Sequence, residues 1–142
     1  RLAMVAAAVE TVPGLIPGRE EIDLGGNSYT ADTLRVVAKE YPGAELFTIV
    51  GDDAAAKLHT WDRSDEVIER SRLVVVDRPG SPVELDDSVD WIHVEVPRLE
   101  VSSTDLRARF RDGRPLDYLL TDAVLEVIEQ RSLYEPTERT CA

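Results

Sequence analysis

Residues 100 to 109 read E-V-S-S-T-D-L-R-A-R, which places three hydroxyls, Ser102, Ser103 and Thr104, ahead of Asp105, Arg107 and Arg109. A strand-like segment gives way to a helical one at this point, and two kinds of chemistry fit. Ser102 through Asp105 has the S-x-x-D/E spacing of a helix cap, in which the hydroxyl takes up a free N–H of the first turn. The same place can receive a phosphate, because the free N–H groups, the positive end of the helix dipole and the hydroxyls all favour an anion. Arg107, one turn in, would add a bidentate guanidinium contact. It adds almost nothing to a cap and sits where a cation is mildly unfavourable, so its presence there asks for an anion.

Two further segments follow strand-like runs. Gly51-Asp52-Asp53 comes after "LFTIV", and Arg78-Pro79-Gly80 after "LVVVD". Asp52 and Asp53 read first as solvated loop carboxylates or a helix cap. Trp61, in "LHTWDR", reads by default as packing. His59 and His93 share no metal-ligand spacing, so a histidine-based metal site is not expected. The chain contains no Walker A sequence, no G-x-G-x-x-G, no G-x-S-x-G and no Cys/His nucleophile arrangement.

The elements that must position these residues follow from hydrophobic period. "RLAMVAAAVETV" predicts an amphipathic helix carried by Leu2, Val5, Ala6 and Val9. "PGLIPGRE" is turn chemistry, and "GGNSYTADTLRVVAKEYPG" predicts a Gly-Gly turn and then a helix to Tyr41-Pro42-Gly43, with Leu34, Val36, Val37 and Tyr41 on its buried side. "AELFTIV" predicts a strand covered on both faces, followed by a loop or helix start. "DRSDEVIERS" predicts a short helix, "RLVVVDRPG" a second buried strand, and "DWIHVEVP" a third with period-2 alternation. Strands alternating with helices imply a parallel α/β sheet, and in open parallel sheets ligands bind beyond the carboxyl ends of the strands, where all three segments fall.

Composition bounds the function. A chain of 142 residues with 43% hydrophobic content suits one domain with a single core. Its 16 basic and 28 acidic residues leave a net charge of −12, which argues against a nucleic-acid or anionic-membrane surface. Cys141 is alone, so no disulfide framework or cysteine metal cluster forms within the chain, in keeping with a cytoplasmic protein. No apolar run approaches the roughly 20 residues of a membrane span.

The ordered series "GGNSYTADTL", "LFTIVGDDAAAKLHTW", "LVVVDRPG" and "VSSTDLRARFRDGRPLDYLLTDAVLEVIEQRSLY" resembles the bacterial nicotinate-nucleotide adenylyltransferase family. The resemblance spans residues 1 to about 135 and implies a partial nucleotidyltransferase domain over 1–135, with 136–142 as a tail. It implies a Rossmann-like nucleotidyltransferase fold, a parallel sheet with flanking helices. The implied reaction is transfer of the adenylyl group of ATP to nicotinate mononucleotide, giving deamido-NAD and pyrophosphate with Mg²⁺ assisting. Partners would be those two nucleotides, with a homo-oligomer left open. Members of the family open with a first strand and a G-x-F-D-P-x-H-x-G-H segment whose histidines contact the ATP phosphates. That segment is not in residues 1–142, so the N-terminal strand-helix unit is expected to be missing and the isolated chain to be inert or nearly so. His59 and His93 do not match its histidines.

By the same resemblance, Tyr29 and Thr30 lie near the nicotinate ring, with Asp32 the helix-side carboxylate of their motif. Trp61 matches the tryptophan that stacks on that ring. Asp53 falls on the sugar side of the ATP pocket, and Arg78 in the R-P-G turn on the acceptor side. Ser102, Ser103, Thr104 and Arg107 match the S-S-T-x-x-R motif that holds ATP phosphates, with Thr104 and Arg107 in the catalytic role. Arg107, Arg109 and Arg78 would supply the local positive charge. Many relatives carry a second aromatic shortly after the tryptophan, whereas this chain has Asp62, Arg63 and Ser64. An inward Asp62 would oppose a carboxylated ring. Alternatives are therefore a related acceptor such as nicotinamide mononucleotide or pantetheine phosphate, or a non-catalytic binding or regulatory module on the same scaffold.

Overall fold

A computed structural model describes residues 1–77, 83–97 and 101–134. The chain divides into two compact units, one formed by Arg19–Arg98 and the other by Arg1–Gly18 together with the described part of Leu99–Ala142.

The first unit carries α2 (Glu20–Leu24), α3 (Thr30–Glu40), β1 (Phe47–Gly51), α4 (Asp52–Ala55), a 3-10 turn (Leu58–Thr60), α5 (Ser64–Arg70), β2 (Arg72–Asp77) and β3 (Trp91–Glu95). The strands form a parallel sheet in the order β1-β2-β3. Ile49 lies opposite Val74, and Val75 opposite His93. Such a sheet with flanking helices is the Rossmann-like arrangement expected from the sequence. The central strand buries Leu73, Val74 and Val75 in succession, so both of its faces are covered, as its unbroken apolar run requires. Ala31 and Leu34 of α3, Leu58, Val67 of α5, Leu73 and Val89 form the core, with Leu46, Trp61 and Trp91 packed against it. Between β1 and the start of β2, the Thr48 and Ser71 hydroxyls lie 2.6 Å apart, and Ser71 Oγ also donates to the Val67 carbonyl.

Three expectations are corrected. β1 is covered on one face only: Phe47 and Ile49, two residues apart and hence on the same side of the pleat, are 47% and 68% exposed. The Phe47 ring is instead capped by the Arg72 guanidinium from its register partner on β2, 5.8 Å from the ring centroid. β3 shows no alternation in burial, because His93, Val94 and Glu95 are all exposed. Tyr41 is not on the buried side of α3. The helix ends at Glu40, and Tyr41 takes a non-helical backbone (φ −120°, ψ 71°) that turns its side chain out of the helical register. Helix α2 was not foreseen; an Arg19–Asp23 ion pair spans it.

The second unit consists of α1 (Leu2–Val9), α6 (Ser103–Asp112) and α7 (Asp122–Gln130). α1 packs on α7, which buries Val124 and Ile128, a spacing of one helical turn. α1 has no side-chain cap and no fully buried residue, and Val5 of its expected apolar stripe is half exposed. α6 is capped at both ends. Ser102 Oγ accepts from the Asp105 N–H at 3.1 Å, and Gly113, in the left-handed conformation, closes the other end on the Arg109 and Phe110 carbonyls. The tail expected over 136–142 lies outside the described residues.

Candidate functional site

Each unit presents a concave site. In the unit containing the sheet, Ser28, Tyr29, Thr30, Trp61 and Asp62 line a pocket of about 330 Å³. One wall is the entry to α3, where Tyr29 is the extended N-cap residue and Thr30 the first helical one. The Tyr29 hydroxyl accepts from Asn27 Nδ2 at 3.3 Å. The other wall is the segment after the 3-10 turn. Trp61 meets the core on one side and the pocket on the other, so the packing and ligand-facing readings of this residue are compatible.

Behind the pocket runs a chain of ion pairs. Arg63 holds Asp32 with both terminal nitrogens, Nη1 to Oδ1 at 2.8 Å and Nη2 to Oδ2 at 2.7 Å, and its Nε donates to Asp62. Its guanidinium carbon also stands 5.6 Å from the Tyr29 ring centroid. Arg35 donates to Asp32 Oδ1 at 3.0 Å and to both carboxylate oxygens of Glu66, which also accepts from Arg70 Nε at 2.6 Å. The arginine hydrogen bonds set the ionisation of the acids. Asp32 is held below the usual carboxylate range chiefly by Arg63, and Glu66 chiefly by Arg35, in both cases against partial desolvation. Arg63 is correspondingly raised, first by Asp32 and then by Asp62. Asp62 does line the pocket, yet its charge is matched by Arg63, so it does not stand as the isolated acid that would repel a carboxylated ring.

The two aspartates after β1 part ways. Asp52 is buried and folds back so that Oδ1 accepts the Asp53 N–H at 2.8 Å, a local helix-start contact, while Asp53 stays exposed. Only Asp53 faces solvent, where a ligand could meet it. Arg78 lies outside the described residues.

In the helical unit, a cavity of about 460 Å³ is walled mainly by apolar side chains such as Phe110, Leu116 and Ile128, with Ser103 and Arg107 among its polar residues. Ser102, Ser103 and Thr104 are exposed at the start of α6, with Ser102 serving as the cap. Arg107 lies over the Tyr134 ring, 5.6 Å from its centroid. The inference that its position requires an anion is therefore corrected: a π face meets part of that need. Arg109 is also reassigned. Its Nε donates to Asp105 Oδ2 at 2.7 Å, which lowers the ionisation range of Asp105, and Arg114 approaches the same carboxylate at 3.8 Å. Its charge is thus matched within α6. The i,i+4 spacing of Asp105 and Arg109 made that pair legible. The parts played by Arg63 and Tyr134 were missed, and no local pattern announces either. Among the described residues, no three His, Cys, Asp or Glu side chains gather as a metal site, and no helix is long and apolar enough to cross a membrane.

Comparison with known proteins gives a consistent result. The model of the cytidylyltransferase-like family matches residues 1–109. The nicotinate-nucleotide adenylyltransferase of Bacillus subtilis is 36% identical over 95% of the chain and 70% of its own length. A homologue from Corynebacterium kroppenstedtii named for the same activity is 41% identical over 96% of the chain and 67% of its own length. Among solved structures, a nicotinate-nucleotide adenylyltransferase homologue from Vibrio parahaemolyticus aligns at TM-score 0.64 and 21% identity, covering 94% of the chain and 68% of its own. The Plasmodium falciparum nicotinic acid mononucleotide adenylyltransferase, in complex with APC, aligns at 0.59 and 16%, covering 78% and 60%. The chain thus spans about two thirds of the length of its relatives, and at these identities the structural likeness speaks for the fold.

Proposed function

Because the chain belongs to the cytidylyltransferase-like family and, within it, to the nicotinate-nucleotide adenylyltransferases, we propose that the complete protein transfers the adenylyl group of ATP to nicotinate mononucleotide. The products are deamido-NAD and pyrophosphate, a step of NAD biosynthesis carried out in the cytoplasm. The observation that carries this reading is the identity of 36–41% with such relatives over nearly the whole chain.

The pocket of Tyr29, Thr30 and Trp61 suits a flat aromatic ring, with Trp61 rigidly backed by the core and able to stack. Arg78 joins the acceptor side by its place in the R-P-G turn. Asp53, exposed at the start of α4, is assigned to the sugar of the ATP pocket. At the start of α6, the N–H groups, the hydroxyls of Ser102, Ser103 and Thr104 and the guanidinium of Arg107 are assigned to the ATP phosphates, with Thr104 and Arg107 stabilising the charge that develops. A phosphate oxygen of the acceptor attacks the α-phosphorus in line. The new P–O bond forms as the bond from the α-phosphorus to its bridging oxygen breaks, and the electron pair leaves with pyrophosphate. The attacking oxygen is already anionic, so no general base is needed to activate it, and its direct in-line attack requires no covalent enzyme intermediate. Mg²⁺ enters as part of the substrate, on the phosphates of ATP.

The test is product formation by the full-length protein with ATP, Mg²⁺ and either nicotinate or nicotinamide mononucleotide. Deamido-NAD and pyrophosphate should form, with kcat/KM favouring the acid for which the relatives are named; Asp62, matched by Arg63, does not oppose it. Preference for the amide would reassign the acceptor, and no turnover with either would leave a binding module as the better account. Residues 1–142 alone, which contain no G-x-F-D-P-x-H-x-G-H segment, should release pyrophosphate at background rate.

A further inference from the structure

We propose that Arg63 is a positioning residue for the acceptor pocket: it clamps the Trp61 segment to the first turn of α3 and holds Trp61 and Tyr29 in place as the pocket's two aromatic members. This rests on the acceptor assignment made above.

The backbone is the first observation. Arg63 has φ 53° and ψ 46°, the left-handed conformation that side-chain-bearing residues seldom adopt outside Asn and Asp. A turn that needed only this geometry would be served better by glycine. An arginine here points to use of its side chain, and every part of the guanidinium is engaged. Two nitrogens grip Asp32, one turn into α3 from Tyr29; the third grips Asp62, next to Trp61; and the guanidinium stands over the Tyr29 ring. One planar cation therefore touches both walls of the pocket. It also matches the carboxylate that would otherwise face the acceptor uncompensated.

The fold has its own link between the same helices. Arg35 of α3 donates to both oxygens of Glu66 on α5; it shares the Asp32 carboxylate with Arg63, yet its own bond to Glu66 does not pass through Arg63. Removing the Arg63 side chain should thus loosen the pocket while α3 and α5 stay docked. A bidentate pair about one-third exposed, as Arg63 and Asp32 are, stabilises a fold modestly, so a purely structural role forecasts a lowered Tm with the KM values for both substrates moving together.

The experiment uses the full-length enzyme carrying Arg63→Ala, Arg63→Lys or Arg63→Gly. Arg63→Ala should raise KM for nicotinate mononucleotide about tenfold or more, with KM for ATP changed less than about twofold. Arg63→Lys should recover little, because an ammonium cannot span Asp32 and Asp62 as a fork does. Arg63→Gly, which relaxes the backbone, should share the Ala defect. Adding Asp62→Asn to Arg63→Ala should restore part of the affinity for the acid, and less for nicotinamide mononucleotide. Amide hydrogen exchange, which needs no turnover, should quicken at 28–33 and 58–63 in Arg63→Ala while β2 stays protected. The proposal is overturned if Arg63→Gly behaves as wild type, if both KM values rise together, or if exchange in the two segments is unchanged. A wild-type enzyme that uses neither acceptor sinks the function assigned above, and the exchange result still decides the clamp.

Discussion

Arg107→Ala separates a phosphate site from a helix cap, and the structure supplies both sides of the comparison. On the stability side the variant loses the contact with the Tyr134 ring, worth about 0.5–1 kcal/mol at a partly exposed site. It gains relief of a cation near the positive end of α6, on the order of 0.3 kcal/mol beyond the first turn, and about 0.2 kcal/mol of helix propensity. The sum is a loss below about 0.5 kcal/mol, which in a domain of this size moves Tm by roughly 1–3 °C at most. On the activity side, a charge-assisted contact to a phosphate is worth about 1.5–3 kcal/mol, so kcat/KM for ATP should fall roughly 10- to 10²-fold. Thermal melting and steady-state kinetics of the full-length enzyme read the two quantities separately. Tyr134→Leu removes the ring but leaves the cation, and should reproduce the small stability loss with most activity retained. Ser102→Ala removes a cap seen at 3.1 Å and should cost about 1 kcal/mol of stability. If Arg107→Ala melts the protein yet leaves turnover per folded molecule intact, α6 carries a cap and no phosphate, and the assignment is wrong.

Trp61→Ala should raise KM for nicotinate mononucleotide by the roughly 1–3 kcal/mol of an aromatic stack while KM for ATP moves little. It should also lower Tm, since Trp61 backs onto the core, and Trp61→Phe should keep most of the stability; equal losses for both substrates would mark a packing residue only. Acid should destabilise the chain through the carboxylates held low by their partners. Asp32, Glu66 and Asp105 titrate below their ordinary values of 3.8, 4.5 and 3.8, so the unfolded chain binds more protons in that range. Their contribution is complete above those values and disappears as pH falls through the lower folded ones. Tm should hold from neutral pH to about 5 and then drop, and the Asp32→Asn, Glu66→Gln, Asp105→Asn triple variant should show a shallower drop; parallel melting curves for the two proteins would contradict this.

Much of the framework was legible because it is governed by local rules. The apolar run at residues 73–75 requires cover on both faces and receives it, and the S-x-x-D spacing at Ser102 requires a cap and forms one. Adjacent identical residues were harder. Asp52 and Asp53 read alike in sequence, yet the first turns in to accept its neighbour's N–H and the second faces solvent, because the step from β1 into α4 gives consecutive side chains different directions.

What the order of residues determined alone was the series of helices and strands apart from α2 and α7, the parallel pairing of the strands, the capped start of α6, and the motifs that mark the family. These depend on period, spacing and turn chemistry within a few residues. Tertiary structure alone decided which charges are matched. Arg63 meets Asp32 across 31 positions of chain, and Arg107 finds the Tyr134 ring only after α6 and α7 have folded. Within residues 1–142 it also leaves Phe47 and Ile49 of β1 exposed, since a strand's apolar pattern states what it can bury but not what lies over it. Side-chain partners far apart in sequence meet through the path of the backbone between them, and no local pattern encodes that path.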